Sequence, residues 1–201
     1  MLSKLKNIIK EPKFIFLQSI LQKIPLQPVK LYCFIFLEFK GEKPRINYKN
    51  RFEVREIKSD DLKSMSALER KNISIFLKRL EMGSYCIVGV NNSSIIGYMW
   101  FTDKNSYTEE RTGFKILIPK DSIYSYDAFI LPKYRLKGLW VSFQMYMLYR
   151  MGELSRSRII TFVDYGNNIS LRSHLRFGYL PFKKIFILRV FGKSIFFEKK
   201  I

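Results

Sequence analysis

The order of apolar segments predicts a mixed sheet with helices on both faces, a fold of the α/β or α+β class. Three observations carry this expectation. Strand-forming runs recur from Leu31 to Glu198. Helical 3.6-residue patterns interrupt them around residues 61–80, 138–151 and 170–177. Two turn signals, Asn91-Asn92-Ser93 and Phe191-Gly192, fold neighbouring runs into hairpins.

Each element follows from local pattern. Leu2, Leu5, Ile8 and Ile9 share one helical face, and Phe16, Leu17, Ile20, Leu21 and Ile24 share another. With Pro12, Pro25 and Pro28 as punctuation, residues 1–28 are expected to form one or two short helices. A basic amphipathic piece of this kind can lie on an anionic membrane, although packing on its own domain is the commoner outcome. Leu31 to Phe39 reads as a buried strand, and Gly41 to Asn50 as a loop or linker around Pro44. Phe52, Val54 and Ile57 alternate in a second strand. Ser59 or Asp60 can cap a helix over Asp61 to Leu68, and Ile73, Phe76, Leu77 and Leu80 mark another that Gly83 ends.

Tyr85–Val90 and Ser94–Phe101 form the first hairpin, and the polar stretch Asp103 to Thr112 is expected to be mobile. Strands over Phe114–Ile118 and Ile123–Leu131 flank Pro119-Lys120-Asp121. A helix over Gly138–Met151, a strand over Ile159–Val163 and a short helix near Ser170–Phe177 come next. Strands Lys184–Val190 and Lys193–Glu198 close the chain, their aromatics Phe182, Phe186, Phe191 and Phe196 being expected to face the core. This divides the chain into a basic N-terminal extension, residues 1–50, and a principal domain, residues 51–201.

A chain of 201 residues with 47% hydrophobic content can build a substantial core, which excludes disorder as its general state. The formal net charge is +19 and is unevenly placed. Residues 1–58 carry 13 basic and 5 acidic side chains, residues 59–122 carry 9 and 8, and residues 123–201 carry 14 and 4. Such a field favours an anionic partner: a phosphorylated cofactor, an acidic glycan, nucleic acid or an anionic membrane. Cys33 and Cys86 both sit in apolar strand-like runs and read as buried free thiols. His174 is the single histidine and no cysteine pair lies near it, so no metal is expected. No apolar run reaches the length of a membrane span, and the N-terminus reads as uncleaved. The expected location is the cytoplasm or the periphery of a membrane.

The segment Tyr126 to Trp140, Y-D-A-F-I-L-P-K-Y-R-L-K-G-L-W, is the most informative. A strand stops at Pro132, a short basic loop follows, and Gly138 opens a helix. Backbone N–H groups converge where a loop enters a helix, and the helix dipole adds partial positive charge. Arg135 and Lys137 add formal charge, so the segment reads as a cradle for a phosphate or pyrophosphate.

P-K-Y-R-L-K-G-L-W resembles the acyl-CoA-binding turn of the GNAT (GCN5-related) N-acetyltransferase superfamily, whose fingerprint is Q/R-x-x-G-x-G/A. Arg135 and Gly138 match the first two anchors, and Trp140 stands where a small residue is usual. Asn168 to Tyr179, N-I-S-L-R-S-H-L-R-F-G-Y, resembles the family's element after its next strand. Asp60-Asp61-Leu62 resembles its opening strand–helix junction, and Ile96-Gly97-Tyr98 its central meander. The resemblance covers roughly residues 52–198. It implies a central mixed, mostly antiparallel twisted sheet with helices on both faces.

The resemblance also implies a chemistry: transfer of an acetyl group from acetyl-CoA to an amine, without a metal. Backbone near Phe129 and Ile130 would meet the pantetheine arm, the turn Arg135, Leu136, Lys137, Gly138, Leu139 and Trp140 would hold the pyrophosphate, and Asn168 and Ser170 would support the arm. Asn168 and Ser170 can equally cap their helix. The family often places a tyrosine as proton donor four residues before the glycine of its last helix. Here that position is His174, which can donate near neutral pH or simply pack on its helix. Where some members place a glutamate, this chain has Tyr124, so Asp127 is the one acid on the strand. Asp127 could act as base, directly or through water, or bond backbone at a strand irregularity; Glu109 and Glu110 are alternatives. Tyr98, Trp100, Tyr124 and Tyr126 either line the acceptor pocket or belong to the core.

The basic field suits an anionic acceptor, such as an amino-sugar nucleotide or another envelope precursor. A different class of reading remains: a basic module for nucleic acid or an anionic surface, in which Lys183, Lys184, Arg189 and Lys193 alternate with phenylalanines. A catalytically inactive form of the same fold is the third.

Overall fold

The computed structural model describes residues 12–21, 29–40, 51–69 and 72–201. The expected helix face that includes Ile24, and the first one around Leu2–Ile9, lie wholly or partly outside the described residues. The eight strands of the main sheet are mixed in direction and mostly antiparallel, as expected. The chain forms two compact units, the first holding residues 12–21 and 29–39 with 106–117 and 161–201, the second residues 51–69, 72–105 and 118–160.

The first unit is built on a long hairpin. Its helix α1 spans Pro12–Leu21 and its strand β1 spans Val29–Phe39. β1 pairs antiparallel with β9, Leu180–Val190, from Val29↔Val190 to Glu38↔Leu180. β9 pairs on its other side with the edge strand β10, Lys193–Lys200. The two join at Phe191-Gly192, where both residues adopt positive φ, 44° and 84°. The unit's core is aromatic. Phe34 stacks on Phe162 at 4.2 Å, and Phe39 meets Phe177 and Tyr179 at 5.3 and 5.4 Å.

Three expectations for this unit are corrected. Residues 103–112 are not loop throughout: β5, Ser106–Thr108, pairs with β6, Lys115–Leu117. Between them the buried Glu109 carboxylate accepts from the Thr112 amide at 2.9 Å, the Thr112 hydroxyl at 2.6 Å and Arg111 Nε at 2.6 Å. The polar side chains of this stretch hydrogen-bond one another. Phe191 does not face the core, being 83% exposed in the turn, and Phe196 is only partly covered, 42% exposed against Phe114. Nor does α1 bury the face expected to pack: Phe16, Leu17 and Ile20 are exposed, and Phe14 makes the contact instead.

In the second unit the strands run β2 (Glu53–Glu56), β3 (Tyr85–Asn91), β4 (Ser94–Thr102), β7 (Ser122–Ile130), then the start of β8 (Arg158–Asp164). β2, β3, β4 and β7 are antiparallel neighbours, while β7 and β8 are parallel over Ser122–Tyr124 and Arg158–Ile160. Asp121 holds that parallel start: its carboxylate accepts from Arg158 at 2.9 and 2.7 Å. Helix α2 spans Asp61–Glu69, α3 Ile73–Glu81 and α4 Leu139–Glu153.

Asp61, the first residue of α2, ties the strand–helix junction together. Its carboxylate takes the Lys58 amide at 2.7 Å and the Arg55 guanidinium at 2.6 and 3.0 Å. α3 is capped by Asn72, whose side chain accepts from the Ser74 amide at 3.0 Å. Cys33 and Cys86 are buried thiols outside any disulfide, as expected, and burial pushes the Cys86 thiol well up.

Candidate functional site

β7 is the element from which the second unit's site is built. It pairs with β4 in two registers: Trp100 and Phe101 face Tyr126 and Ser125, whereas Gly97 and Tyr98 face Ile130 and Phe129. One residue of β4, Met99, therefore opposes two of β7, Asp127 and Ala128, which is a β-bulge, and Asp127 sits in it at φ 43°. A non-glycine residue there is a strained position, and aspartate tolerates it better than most. The parallel ladder with β8 covers only Ser122–Tyr124, so Asp127, Phe129 and Ile130 lie beyond it.

The Asp127 carboxylate pairs with the Arg79 guanidinium, which comes from the last turn of α3. Arg79 is buried, and its guanidinium carbon lies 5.3 Å from the Trp100 ring and 5.4 Å from the Tyr126 ring. Tyr126 Oη donates to Ser84 Oγ at 2.8 Å, and Tyr124 stacks on Tyr126 at 5.7 Å. The four aromatics expected at an acceptor pocket are thus close together but buried: Tyr98, Trp100 and Tyr124 at 0% and Tyr126 at 8% exposure.

The chain leaves β7 through one turn of 3-10 helix, Pro132–Tyr134. Arg135 Nε then donates back to the Ile130 carbonyl at 3.0 Å. The loop turns at two positive-φ residues, Leu136 at 60° and Gly138 at 98°. Gly138 is the N-cap of α4, and the helix's opening bond runs from the Ser142 amide to the Gly138 carbonyl at 3.0 Å. The amides of the first helical turn therefore have no acceptor inside the helix and present an anion-binding end. Arg135, Leu136 and Lys137 are exposed, Trp140 is half-buried and Leu139 is fully buried.

The burial of Leu139 explains how α4 is set in place. Gly89 and Gly97 lie opposite each other on β3 and β4. A Cβ on Gly89 would come within 2.4 Å of Leu139 Cδ1, and one on Gly97 within 2.6 Å of the Phe129 carbonyl oxygen. Two facing glycines thus let the start of α4 sit directly on β3 and the end of β7 run close beside β4. Neither glycine stood out as a site residue in the sequence. The visible signal was a glycine inside each of two paired apolar runs.

The remaining candidates belong to the first unit, on α5, Asn168–Phe177. The capping residue is Asn167, not Asn168 or Ser170: its side chain accepts from the Ser170 amide at 3.1 Å. His174 is 6% exposed. Its Nδ1 lies 2.8 Å from the Ser170 carbonyl, one turn earlier, which makes Nδ1 the protonated nitrogen. Its ring meets Tyr179 edge-on at 5.0 Å. Burial lowers the His174 pKa to about 4, and the Ser170 carbonyl opposes this only in part. The imidazole is neutral near pH 7.

The two predicted catalytic residues thus fall in different units, Asp127 in the second and His174 in the first. Glu109, an alternative base, is enclosed by Thr112 and Arg111. Among the described residues no cluster of three or more potential metal ligands occurs.

Neither a family model nor a curated protein matches the sequence. Solved structures do match. A functionally unknown conserved protein from Staphylococcus epidermidis superposes with a TM-score of 0.58 at 12% identity, over 86% of this chain and 67% of that one. A GNAT-family acetyltransferase from Novosphingobium aromaticivorans, described as putative in its name, gives 0.57 at 10% identity, over 83% and 66%. The aminoglycoside N-acetyltransferase AAC(6')-Iy in complex with CoA gives 0.52 at 13% identity, over 63% and 90%. This chain therefore has the GNAT fold, and it spans about two thirds of the first two of these proteins.

Proposed function

We propose that the protein is an acyltransferase that moves an acetyl group from acetyl-CoA to an amine. The observation that carries this reading is the bulged end of β7 leading through Arg135–Gly138 into α4. Bulge, basic turn and open helix end together fit an adenine-nucleotide thioester: a strand edge for its amide-bearing arm and amides for its pyrophosphate. The CoA complex among the superposed structures supports the choice of ligand.

The thioester supplies an activated acyl group and a thiolate leaving group. This chain's residues would do the rest. The Gly138–Trp140 amides, with Arg135 and Lys137, would hold the pyrophosphate. The edge at Ile130 would align the arm, its carbonyl already fixed by Arg135. Of the two backbone positions, Ile130 is the better one, since the Phe129 carbonyl is directed at Gly97. Asn168 and Ser170 remain assigned to the arm by resemblance alone. Asp127, held by Arg79, would take the proton released when the amine attacks, directly or through water. A buried neutral His174 is poorly placed to donate a proton, so its role is proposed to be the packing of α5 against Tyr179.

The acceptor is proposed to be an anionic small molecule, such as an amino-sugar nucleotide or envelope precursor, on the strength of the +19 charge alone. A cytoplasmic location agrees with this chemistry, and no helix among the described residues is long and apolar enough to cross a membrane. The deciding experiment is calorimetric binding of acetyl-CoA, followed by an amine screen that reads CoA-thiol release. Binding with release identifies an acetyltransferase. Binding without release across all amines leaves an inactive GNAT fold, and no binding removes the proposal.

A further inference from the structure

One face of the first unit carries a surface that acyl transfer does not use. Lys193, Ile195, Phe197 and Lys199 of β10 stand directly across from Val190, Leu188, Phe186 and Lys184 of β9, so all eight share one face of the hairpin. On β10 that face is open: Ile195 and Phe197 are 52% and 57% exposed, and Ile201 continues the alternation, also exposed. The opposite face is engaged. There Ser194 Oγ donates to the Thr112 carbonyl at 2.8 Å, Phe196 meets Phe114 at 5.0 Å, and Glu198 accepts from Lys183 at 3.1 Å.

Helix α1 lies on the open side. Phe14 meets the Phe186 ring edge-on at 5.8 Å, and Phe186 is the direct partner of Phe197. Gln18 Nε2 fixes the helix further by donating to the Leu31 carbonyl at 3.0 Å. Docked in this way, α1 turns Phe16 (67% exposed), Leu17 and Ile20 outward. Two elements therefore present apolar side chains to the same side, while the hairpin segment 180–201 carries six basic residues against one acid. Isolated exposed apolar residues are ordinary, but six on two adjoining elements amid lysines are not.

We infer that this face docks on an anionic membrane surface. Lys193 and Lys199 would sit at headgroup level, and Phe197, Ile195, Phe16, Leu17 and Ile20 would enter the acyl boundary. Charge complementarity selects the lipid over a second copy of the chain. Antiparallel pairing of two β10 edges about Phe196 and Phe197 would set Lys193 opposite Lys200, like charge on like charge. The aliphatic members select lipid over single-stranded nucleic acid, because Leu17, Ile20, Ile195 and Ile201 have no ring on which a base could stack. The inference is independent of the acyl-transfer reading.

The test is sedimentation of the full chain with sucrose-loaded phosphatidylcholine vesicles, with or without about one-third phosphatidylglycerol. The protein should pellet with the anionic vesicles only. Ile195→Ser with Phe197→Ser should cut partitioning about ten-fold at any salt concentration. Lys193→Glu with Lys199→Glu should cut it by at least about ten-fold, and most at low salt. All four positions are exposed, so the thermal midpoint should not move. Failure of the wild type to pellet, or variants that pellet as well as the wild type, would overturn the inference. So would lysine-dependent binding to an oligonucleotide without vesicle binding, or a dimer abolished by the β10 substitutions.

Discussion

Arg79, in the last turn of α3, reaches the carboxylate of Asp127 in the bulge of β7, 48 residues further along the chain. The pair ties a helix to the one strand irregularity that the proposed chemistry uses. Arg79 is nearly buried at its side chain and Asp127 is about one-quarter exposed. Losing the cation would strand a carboxylate at a strained backbone position. Arg79→Met should therefore destabilise the fold by about 2 kcal/mol in urea unfolding. Arg79→Lys should recover only part of this, since an ammonium cannot span Trp100 and Tyr126 as the planar guanidinium does.

Activity separates position from chemistry. If Asp127 takes the amine proton, Asp127→Asn should lower kcat about a hundred-fold while leaving acetyl-CoA affinity unchanged. A variant that keeps kcat and loses only stability would make the pair purely structural.

The glycine pair under α4 offers a test of the cofactor end. At Gly89 an added methyl meets the flexible tip of Leu139, which can shift; at Gly97 it meets the backbone carbonyl of Phe129, which cannot do so without moving β7. Gly97→Ala should thus cost about 2 kcal/mol or more, and Gly89→Ala about 1 kcal/mol. Both should weaken acetyl-CoA binding, because both displace the start of α4 or the end of β7 without touching the ligand. Titration calorimetry on the two variants would reveal this, and unchanged affinity in Gly97→Ala would detach the bulge from cofactor binding.

These two cases mark where the sequence was readable. The path from β7 through Arg135 and Gly138 into α4 is local, and a strand stop, a glycine and a helical period suffice to write it. Arg79 was invisible as a site residue, because its partner is fixed by tertiary packing and not by spacing. Gly89 read only as a hairpin residue, and Gly97 only as part of the meander, until their register brought them together beneath Leu139. Residues 103–112 misled for the opposite reason: their polar side chains satisfy one another through Glu109, Arg111 and Thr112. The exposed face of α1 misled because periodicity shows that residues share a side, not that anything covers it.

Arg111 anchors that polar segment within the first unit. It donates to both Asp164 oxygens at 3.1 Å, to Glu109 at 2.6 Å, and lies 5.2 Å from the Phe34 ring. Despite the opposing effect of burial, the hydrogen bonds to Asp164 and then Glu109 raise its pKa, so it stays charged throughout the usable range. Arg111→Met keeps the ring packing and removes the charge. The expected cost is about 1 kcal/mol, because the Asp164 end is solvent-exposed and Glu109 keeps Thr112. Faster amide exchange confined to residues 106–117 would show that the segment is held by this contact. No local change would place its stability in the β5–β6 ladder instead.

His174 makes the last prediction, and its sign is fixed by burial. In the unfolded chain an imidazole takes up a proton near pH 6.5, whereas in the fold it does so only near pH 4. Between these values the unfolded state binds more protons, so stability falls as the pH is lowered from about 6.5 toward 4 and is fully present above that window. The limit of this effect is on the order of 3 kcal/mol. His174→Asn keeps a donor for the Ser170 carbonyl but cannot titrate. It should flatten the stability profile between pH 6.5 and 5, where carboxylates contribute least, while turnover at pH 7.5 stays within about two-fold of wild type if the histidine only packs against Tyr179. A ten-fold or larger loss of kcat in a fully folded His174→Asn protein would instead return the imidazole to the chemical step.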